Sequence, residues 1–212
     1  MTDADLSILL RSRAETRNLD YKETIHWRET TFDEKIALVK DILAMANTPK
    51  GGKIVLGVRD ADFEPVGLAS EAYESLDQTR TNDFLHRYTD PHFSCQIYKL
   101  PLDGRLHVVI QVGEFPAIPI TCKQDANSTK DGKLLLRRGC IYIRTEKATS
   151  EPISTSDEMR ELLEIALTKR ENSLISTIQN LVNRQPAAAP HERVPGEPIR
   201  ASSIPNLALE DV

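Results

Sequence analysis

The segment from residue 31 to residue 58 places the tightest limits on how this chain folds. Thr31 and Glu34 form a capping-box pattern, and apolar side chains recur at helical spacing from residue 36 to residue 46. A turn with two glycines follows at 47–52, and the apolar run 54–58 is typical of a buried strand. A buried strand needs neighbouring strands and a covering helix, so this segment predicts an α+β (α/β) fold with helices packed on a mixed sheet.

The rest of the chain supplies further strands and one long helix. Alternating residues predict strands at 19–25, 95–100 and 106–112, with shorter ones at 64–68, 134–136 and 141–143. Helices are predicted at 74–88 and 156–184, and Gly139 indicates a bulge. Prolines recur from residue 185 onward, which favours a disordered tail. The predicted organisation is a domain at 1–155, a C-terminal helix at 156–184 and a tail at 185–212.

Charge and composition limit the classes of function. The 212 residues carry a formal net charge of -5, of which residues 151–212 contribute -4 and residues 1–150 only -1. A nearly neutral body can contact a polynucleotide only through a local basic patch. No apolar run is long enough to cross a membrane, and three scattered cysteines argue against a disulfide framework. These features predict a cytoplasmic protein.

A group of acidic residues and a lysine is the first candidate site. Asp20 and Lys22 lie two apart on a predicted strand, so both side chains project from one face. Glu15 can join them if the chain bends between it and Asp20, and Asp60 follows the strand 54–58. Three carboxylates would bind Mg²⁺ or Mn²⁺, and the ammonium would assist at a phosphate. The alternative is a solvated strand face and an ordinary turn.

Several segments in order resemble the Schlafen AlbA_2 domain family, whose members typically show Glu-x4-Glu-Phe-Lys, Ala-Phe-Ala-Asn-Thr-x-Gly-Gly, an apolar strand with Gly-Val-x-Asp, and Val-x-Gly. The matching residues are Glu15-x4-Asp20-Tyr21-Lys22, Ala44-Met45-Ala46-Asn47-Thr48, Gly51-Gly52-Lys53-Ile54-Val55-Leu56-Gly57-Val58-Arg59-Asp60 and Val66-Gly67-Leu68. Leu136-Arg137-Arg138-Gly139-Cys140 with Ala148-Thr149 is similar to the family's Arg-x-Gly segment. The resemblance covers roughly residues 6–165.

The resemblance implies a compact nucleic-acid-handling domain. In the Schlafen nucleases two glutamates and an aspartate form a metal-dependent RNA-cleaving site, and those roles would fall on Glu15, Asp20 and Asp60, with Lys22 at the family's lysine. Here an aspartate replaces the second glutamate, and Tyr21 replaces the phenylalanine. Many bacterial members, unlike the vertebrate Schlafen nucleases, are described only as DNA-binding or ATP-binding modules, so the fold alone does not fix the activity.

Three functional hypotheses follow. The first is a divalent-metal-dependent endoribonuclease with RNA favoured over DNA. The second is a non-catalytic DNA- or RNA-binding module that contacts phosphates. The third is an interaction subunit of a larger complex, such as a bacterial defence complex, whose helix at 156–184 pairs with a second copy of the chain or with a partner. The predicted phosphate contacts are Arg137 and Arg138, then Lys50, Lys53, Arg59 and Arg144.

Overall fold

The computed structural model describes residues 1–184, and the predicted tail at 185–212 lies outside the described residues. The helices and strands, in chain order, are α1 (Asp3–Ser12), β1 (Leu19–Lys22), α2 (Phe32–Ala46), β2 (Gly52–Leu56), α3 (Ser70–Ser75), α4 (Gln78–Leu85), β3 (Thr89–Asp90), β4 (Gln96–Leu102), β5 (Arg105–Val112), β6 (Thr121–Cys122), β7 (Ala126–Asn127), β8 (Leu134–Leu136), β9 (Tyr142–Arg144), β10 (Ser150–Pro152) and α5 (Ser156–Arg184). The α+β class predicted from the sequence is confirmed.

A mixed four-stranded sheet organises the fold, with the strand order β1-β2-β5-β4. Strands β1 and β2 are parallel and are joined through α2, whereas β5 is antiparallel to both β2 and β4. The shorter strands form three two-stranded pairs, β9 with β10, β3 with β6, and β7 with β8. The predicted crossover helix over a mixed sheet is therefore confirmed.

Each face of the sheet packs against a different helix. On one face Ile54 and Leu56 join the main hydrophobic core with α2, and on the other Val55 joins Leu6 and Tyr21 in a smaller cluster with α1. This division follows from the two-residue period of a strand. Since Tyr21 faces α1, its neighbours Asp20 and Lys22 face α2.

Local signals explain the well-predicted elements. Thr31 and Glu34 form the capping box that begins α2. Gly51 has φ +66, and a Cβ there would collide with the Val112 carbonyl oxygen, so the turn before β2 requires glycine. The hairpin between β4 and β5 turns at Asp103 and Gly104, which both have positive φ.

Three predicted elements differ from the structure. The predicted helix at 74–88 is interrupted, with α3 ending at Ser75 and α4 spanning Gln78–Leu85, because Leu76 is extended and the side chain of Asp77 caps α4 by accepting a hydrogen bond from the Arg80 backbone N–H. The predicted strand at 64–68 is reduced to one isolated bridge between Val58 and Pro65. The irregular strand pairing lies between Ala126 and Asn127, not at residue 139.

Met1–Ser173 forms one compact unit, and the chain divides after Ser173, inside α5. Within residues 1–184, no helix combines the length and apolar content needed to cross a bilayer.

Candidate functional site

An open depression beside β1 contains all four residues of the predicted acidic site. Its volume is about 610 Å³, and it lies within the first unit. The residues that line it are Glu15, Asp20, Tyr21, Lys22, Glu23, Thr24, Asp60 and Phe63. The bend after α1 brings Glu15 to β1, and the loop after β2 brings Asp60 to the same place. The structure thus gathers side chains that are separated by up to 45 positions in the sequence.

The floor of the depression is an ion-pair network around Asp20. The Asp20 side chain is buried, and its Oδ1 accepts a hydrogen bond of 3.0 Å from Nη2 of Arg144. Its Oδ2 lies 3.0 Å from Nζ of Lys22 without a directed hydrogen bond. A carboxylate removed from water needs such cationic partners to stay charged. Asp20 is therefore neutralised from two sides by residues of the protein itself.

Asp41 of α2 completes this network and is not among the residues predicted from the sequence. Its Oδ2 lies 2.9 Å from Nζ of Lys22, and its Oδ1 accepts a 2.7 Å hydrogen bond from the Ser150 hydroxyl. Arg144 lies 3.8 Å from Asp41 Oδ1. The two acids and two bases balance to zero formal charge. We name these four residues, Asp20, Lys22, Asp41 and Arg144, the floor network.

The floor network fixes Lys22 as a cation. Burial alone would lower the pKa of Lys22, but the carboxylates of Asp41 and Asp20 outweigh it and raise the pKa well above its ordinary value. Lys22 therefore stays protonated at any physiological pH. Such a group can stabilise a negative charge at a phosphate, but it cannot accept a proton as a general base.

The rim of the depression is acidic and more exposed. Oε1 of Glu15 accepts a 3.1 Å hydrogen bond from the Tyr21 backbone N–H. Partial burial of this carboxylate raises the pKa of Glu15, the Tyr21 N–H opposes the shift, and the nearby Asp20 adds to it. Asp60 is exposed on the loop after β2. The rim thus carries negative charge above a neutral floor.

Two of the six predicted phosphate contacts are exposed on one loop. Arg137 and Arg138 follow β8, and neither side chain has an ion-pair partner within residues 1–184. The backbone is held beneath them, since Arg137 N–H donates to the Tyr142 hydroxyl at 2.9 Å and Arg138 N–H donates to Asp125 at 2.6 Å. This loop, named the basic loop, presents two exposed guanidinium groups from a backbone held by these two hydrogen bonds.

The other four basic residues occupy different environments. Lys50 is exposed, Lys53 is half-buried on β2, and Arg59 is exposed but paired with Asp62 at 2.9 Å. Arg144 corrects the sequence-based interpretation, because its side chain is only 2% exposed and belongs to the floor network. A guanidinium in that position pairs with Asp20 and is not available to a phosphate.

The segment that carries the basic loop has a charge opposite to that of the chain. Residues 121–144 contain six Lys and Arg against two Asp, a formal balance of +4, whereas the whole chain carries -5. Five of these six bases remain when the buried Arg144 is left out. The local basic patch that a neutral body requires for polynucleotide contact is therefore present in this segment.

Comparison with known proteins identifies the family. The family model described as Schlafen, AlbA_2 matches residues 15–152, which include all of the depression and the basic loop. The chain belongs to the Schlafen AlbA_2 family. Membership of the Schlafen AlbA_2 family indicates a nucleic-acid-related domain. No curated protein matches the chain.

Two solved structures are similar in fold at low sequence identity. The DIP2311 protein from Corynebacterium diphtheriae has 18% identity and a TM-score of 0.47, with 74% of this chain and 31% of that chain covered. The N-terminal domain of a RecG-related protein from Nitrosomonas europaea has 21% identity and a TM-score of 0.40, with 65% and 88% covered. This chain thus spans about a third of the length of the diphtheria protein.

The metal site that the Schlafen AlbA_2 resemblance implies is not preformed. Within residues 1–184, no three or more His, Cys, Asp or Glu side chains are placed to hold a metal ion together. The physical reason lies at Asp20, whose two oxygens face Arg144 and Lys22 instead of Glu15 and Asp60. The residues as arranged do not fit a three-carboxylate site, and the Mg²⁺ or Mn²⁺ requirement stays a prediction.

Proposed function

We propose that this Schlafen AlbA_2 domain is a nucleic-acid-binding module that contacts backbone phosphates through the basic loop. The observation that carries the proposal is the pair of exposed guanidiniums of Arg137 and Arg138, which have no ion-pair partner in the described part of the chain and lie on a segment with a balance of +4. Guanidinium groups bind phosphate oxygens through paired hydrogen bonds, and such contacts position a protein on a strand without reading its sequence.

RNA is the preferred polymer in this proposal, and its support is the resemblance to the RNA-cleaving Schlafen proteins. The depression also favours a single-stranded ligand, whose bases are free to stack on aromatic rings. Two aromatic residues, Tyr21 and Phe63, lie beside the acidic rim. Their rings lie 5.4 Å apart and pack on each other. Because Tyr21 is buried, Phe63 is the ring that a base could stack on at the edge of the depression.

Binding of a labelled RNA and of the same sequence as DNA, measured by fluorescence anisotropy at several salt concentrations, tests the proposal. The variant R137Q/R138Q should bind about tenfold more weakly at low salt, and the salt slope should fall by about 2, since each lost phosphate contact lowers it by roughly one. The matched control is R28Q/R80Q, which removes two exposed arginines elsewhere. Equal losses in the two variants would contradict a specific role for the basic loop.

A metal-dependent endoribonuclease is the second candidate function. The observation that favours it is the shared depression of Glu15, Asp20, Lys22 and Asp60, which are the residues that the resemblance assigns to cleavage. The protonated Lys22 would stabilise charge that develops on a phosphate, and Asp20 and Asp41 would hold its ammonium in place. Within residues 1–184 these acids are not arranged around a common metal position.

Cleavage of the labelled RNA in Mn²⁺, in Mg²⁺ and in EDTA separates the two candidates. Asp60→Asn is the informative variant, because Asp60 is exposed and its loss should leave the fold intact. Asp20→Ala serves only together with a measurement of folding, since Asp20 lies in the floor network. Cutting that Asp60→Asn abolishes would support the nuclease, and binding without cutting would support the module.

A further inference from the structure

A second cavity, of about 240 Å³, lies at the end of α1 and beside the turn between β4 and β5. Three arginines from two distant parts of the chain line it, Arg11 in the last turn of α1, Arg13 directly after that helix, and Arg105 at the start of β5. His107 forms part of the wall and is 1% exposed. Asp103 is the carboxylate among its lining residues. We name it the arginine cavity.

Close backbone packing builds the wall of the arginine cavity. Gly57 has φ +95, and a Cβ there would lie 2.8 Å from Nδ1 of His107. Gly67 has φ +77, and its Cβ would lie 2.9 Å from Cβ of Arg105. Both distances are shorter than side chains tolerate, so glycine at both positions lets the loop after β2 lie directly against β5. Glycine at these two positions thus leaves room for His107 and Arg105 in the wall of the cavity.

The charges in the arginine cavity are incompletely neutralised. Glu64 lies 3.4 Å from Nη2 of Arg13 and 4.0 Å from Nη1 of Arg105, and all three side chains are substantially exposed. Ion pairs of this length and exposure contribute little and exchange readily. Arg11 is exposed and has no ion-pair partner within the described part of the chain. Burial lowers the pKa of His107, so the imidazole is neutral at pH 7.

The balance of charge therefore favours an anion. The C-terminal end of a helix carries about half a negative charge, which the full charges of Arg11 and Arg13 outweigh. Glu64 bridges two guanidiniums in the way that a bound anion would, and an anion with more oxygens and more charge could displace it. Phosphate groups have both properties.

We propose that the arginine cavity is a phosphate-binding site next to the depression. The loop after β2 joins the two, because Asp60 and Phe63 line the depression whereas Pro65 lines the arginine cavity. The acidic rim repels phosphates, and the adjacent arginines supply the attraction that a strand crossing the rim needs. The inference rests on the proposed function in one respect, namely that the phosphate belongs to a nucleic-acid strand.

Calorimetric titration of the full chain with inorganic pyrophosphate tests the arginine cavity without any nucleic acid. Arg11→Gln should weaken pyrophosphate binding about fivefold or more, and the double variant R11Q/R105Q should abolish it. Glu64→Gln should tighten binding severalfold, because the competing carboxylate is lost. R28Q/R80Q is the matched control and should leave binding unchanged. Circular dichroism of each variant verifies folding, which matters for Arg105 because it donates to the Pro65 carbonyl.

The same variants in the RNA-binding assay separate the sources of the phosphate. If Arg11→Gln weakens the binding of both pyrophosphate and RNA, the arginine cavity holds a phosphate of the strand. If it weakens the binding of pyrophosphate alone, the cavity is a site for a free phosphate compound. That second result would support the cavity even if R137Q/R138Q bound RNA normally and so contradicted the proposed function. The proposal is overturned if pyrophosphate does not bind, if Arg11→Gln matches the control, or if Glu64→Gln weakens binding.

Discussion

Replacing Arg144 with methionine tests the floor network most directly. Arg144 is 2% exposed, donates to Asp20 at 3.0 Å and to the Ser150 hydroxyl at 3.4 Å, and lies 3.8 Å from Asp41. Methionine retains much of the apolar stem but none of the charge, so the variant leaves the floor network with two acids and only Lys22. The buried carboxylate of Asp20 then loses its hydrogen-bond donor.

The expected loss of stability is large. Removing one partner of a buried ion pair costs about 3–5 kcal/mol, because the other charge stays buried and uncompensated. Lys22 remains 3.0 Å from Asp20 in the variant, so we expect the lower end, about 3 kcal/mol. Urea unfolding followed by the fluorescence of Trp27 measures it, since this single tryptophan is buried in the main core. The midpoint temperature should fall by about 6–12 °C.

Two further variants distinguish the effect of an unpaired buried charge from the effect of losing an arginine side chain. The double variant D20N/R144M removes both charges of the pair and should recover at least half of the lost stability, as a neutral amide costs less to bury. Arg160→Met removes an exposed partner of Asp157 at 3.4 Å and should change stability by less than about 0.5 kcal/mol. A loss for Arg144→Met no larger than this control would refute the reasoning.

Three other results are expected. Burial is the main cause that raises the pKa of Glu15 in the folded protein, so the ionised carboxylate opposes folding. Glu15→Gln should therefore raise the urea midpoint at pH 7 and change it little near pH ~4. A lower urea midpoint at pH 7 would contradict this. Gly51→Ala should cost more than about 3 kcal/mol, because its Cβ meets the Val112 carbonyl, whereas Gly104→Ala, with open space and a similar φ, should cost about 1 kcal/mol in the same urea assay. The exposed leucines and isoleucines of α5 favour a homo-oligomer formed through this helix. Light scattering should then show fewer copies per particle for a chain that ends at Ser173 than for the full chain. An equal number of copies in both chains would contradict a role of the residues after Ser173 in the oligomer.

The parts of the fold that the sequence predicted depend on signals within about 30 residues. The capping box at Thr31 and Glu34, the glycine turn and the apolar strand specify α2 and β2 locally. Strand alternation correctly placed Asp20 and Lys22 on one face, as their 3.0 Å ion pair shows. Each of these patterns acts through backbone geometry that neighbouring residues alone decide.

The floor network could not be predicted in the same way. Asp41 is one of several polar residues on α2, and nothing near it in the sequence distinguishes it from a solvated acid. Its partner Lys22 is 19 positions away, and Asp20 and Arg144 are 124 positions apart. The sequence predicts Arg144 as a phosphate contact, and a buried arginine needs a partner that no neighbouring residue indicates. That partner is Asp20 of β1, and only the tertiary fold brings β1 and β9 together.

The short side chain of Asp20 and the burial of Arg144 both keep the Asp20 carboxylate in the floor network. In the nucleases that the chain resembles, a glutamate occupies this position, and its longer side chain reaches further from the strand. Here the shorter carboxylate ends within 3.0 Å of both Arg144 and Lys22, and so it is held on the floor. An ion brought by Glu15 and Asp60 would have to draw Asp20 away from two cations and leave Arg144 buried without its partner, which is costly in a medium of low dielectric constant. Binding of a strand through arginines therefore requires less rearrangement of this chain than metal-dependent cleavage does. The cleavage assay decides whether a bound strand supplies the energy that moves Asp20 away from Arg144 and Lys22.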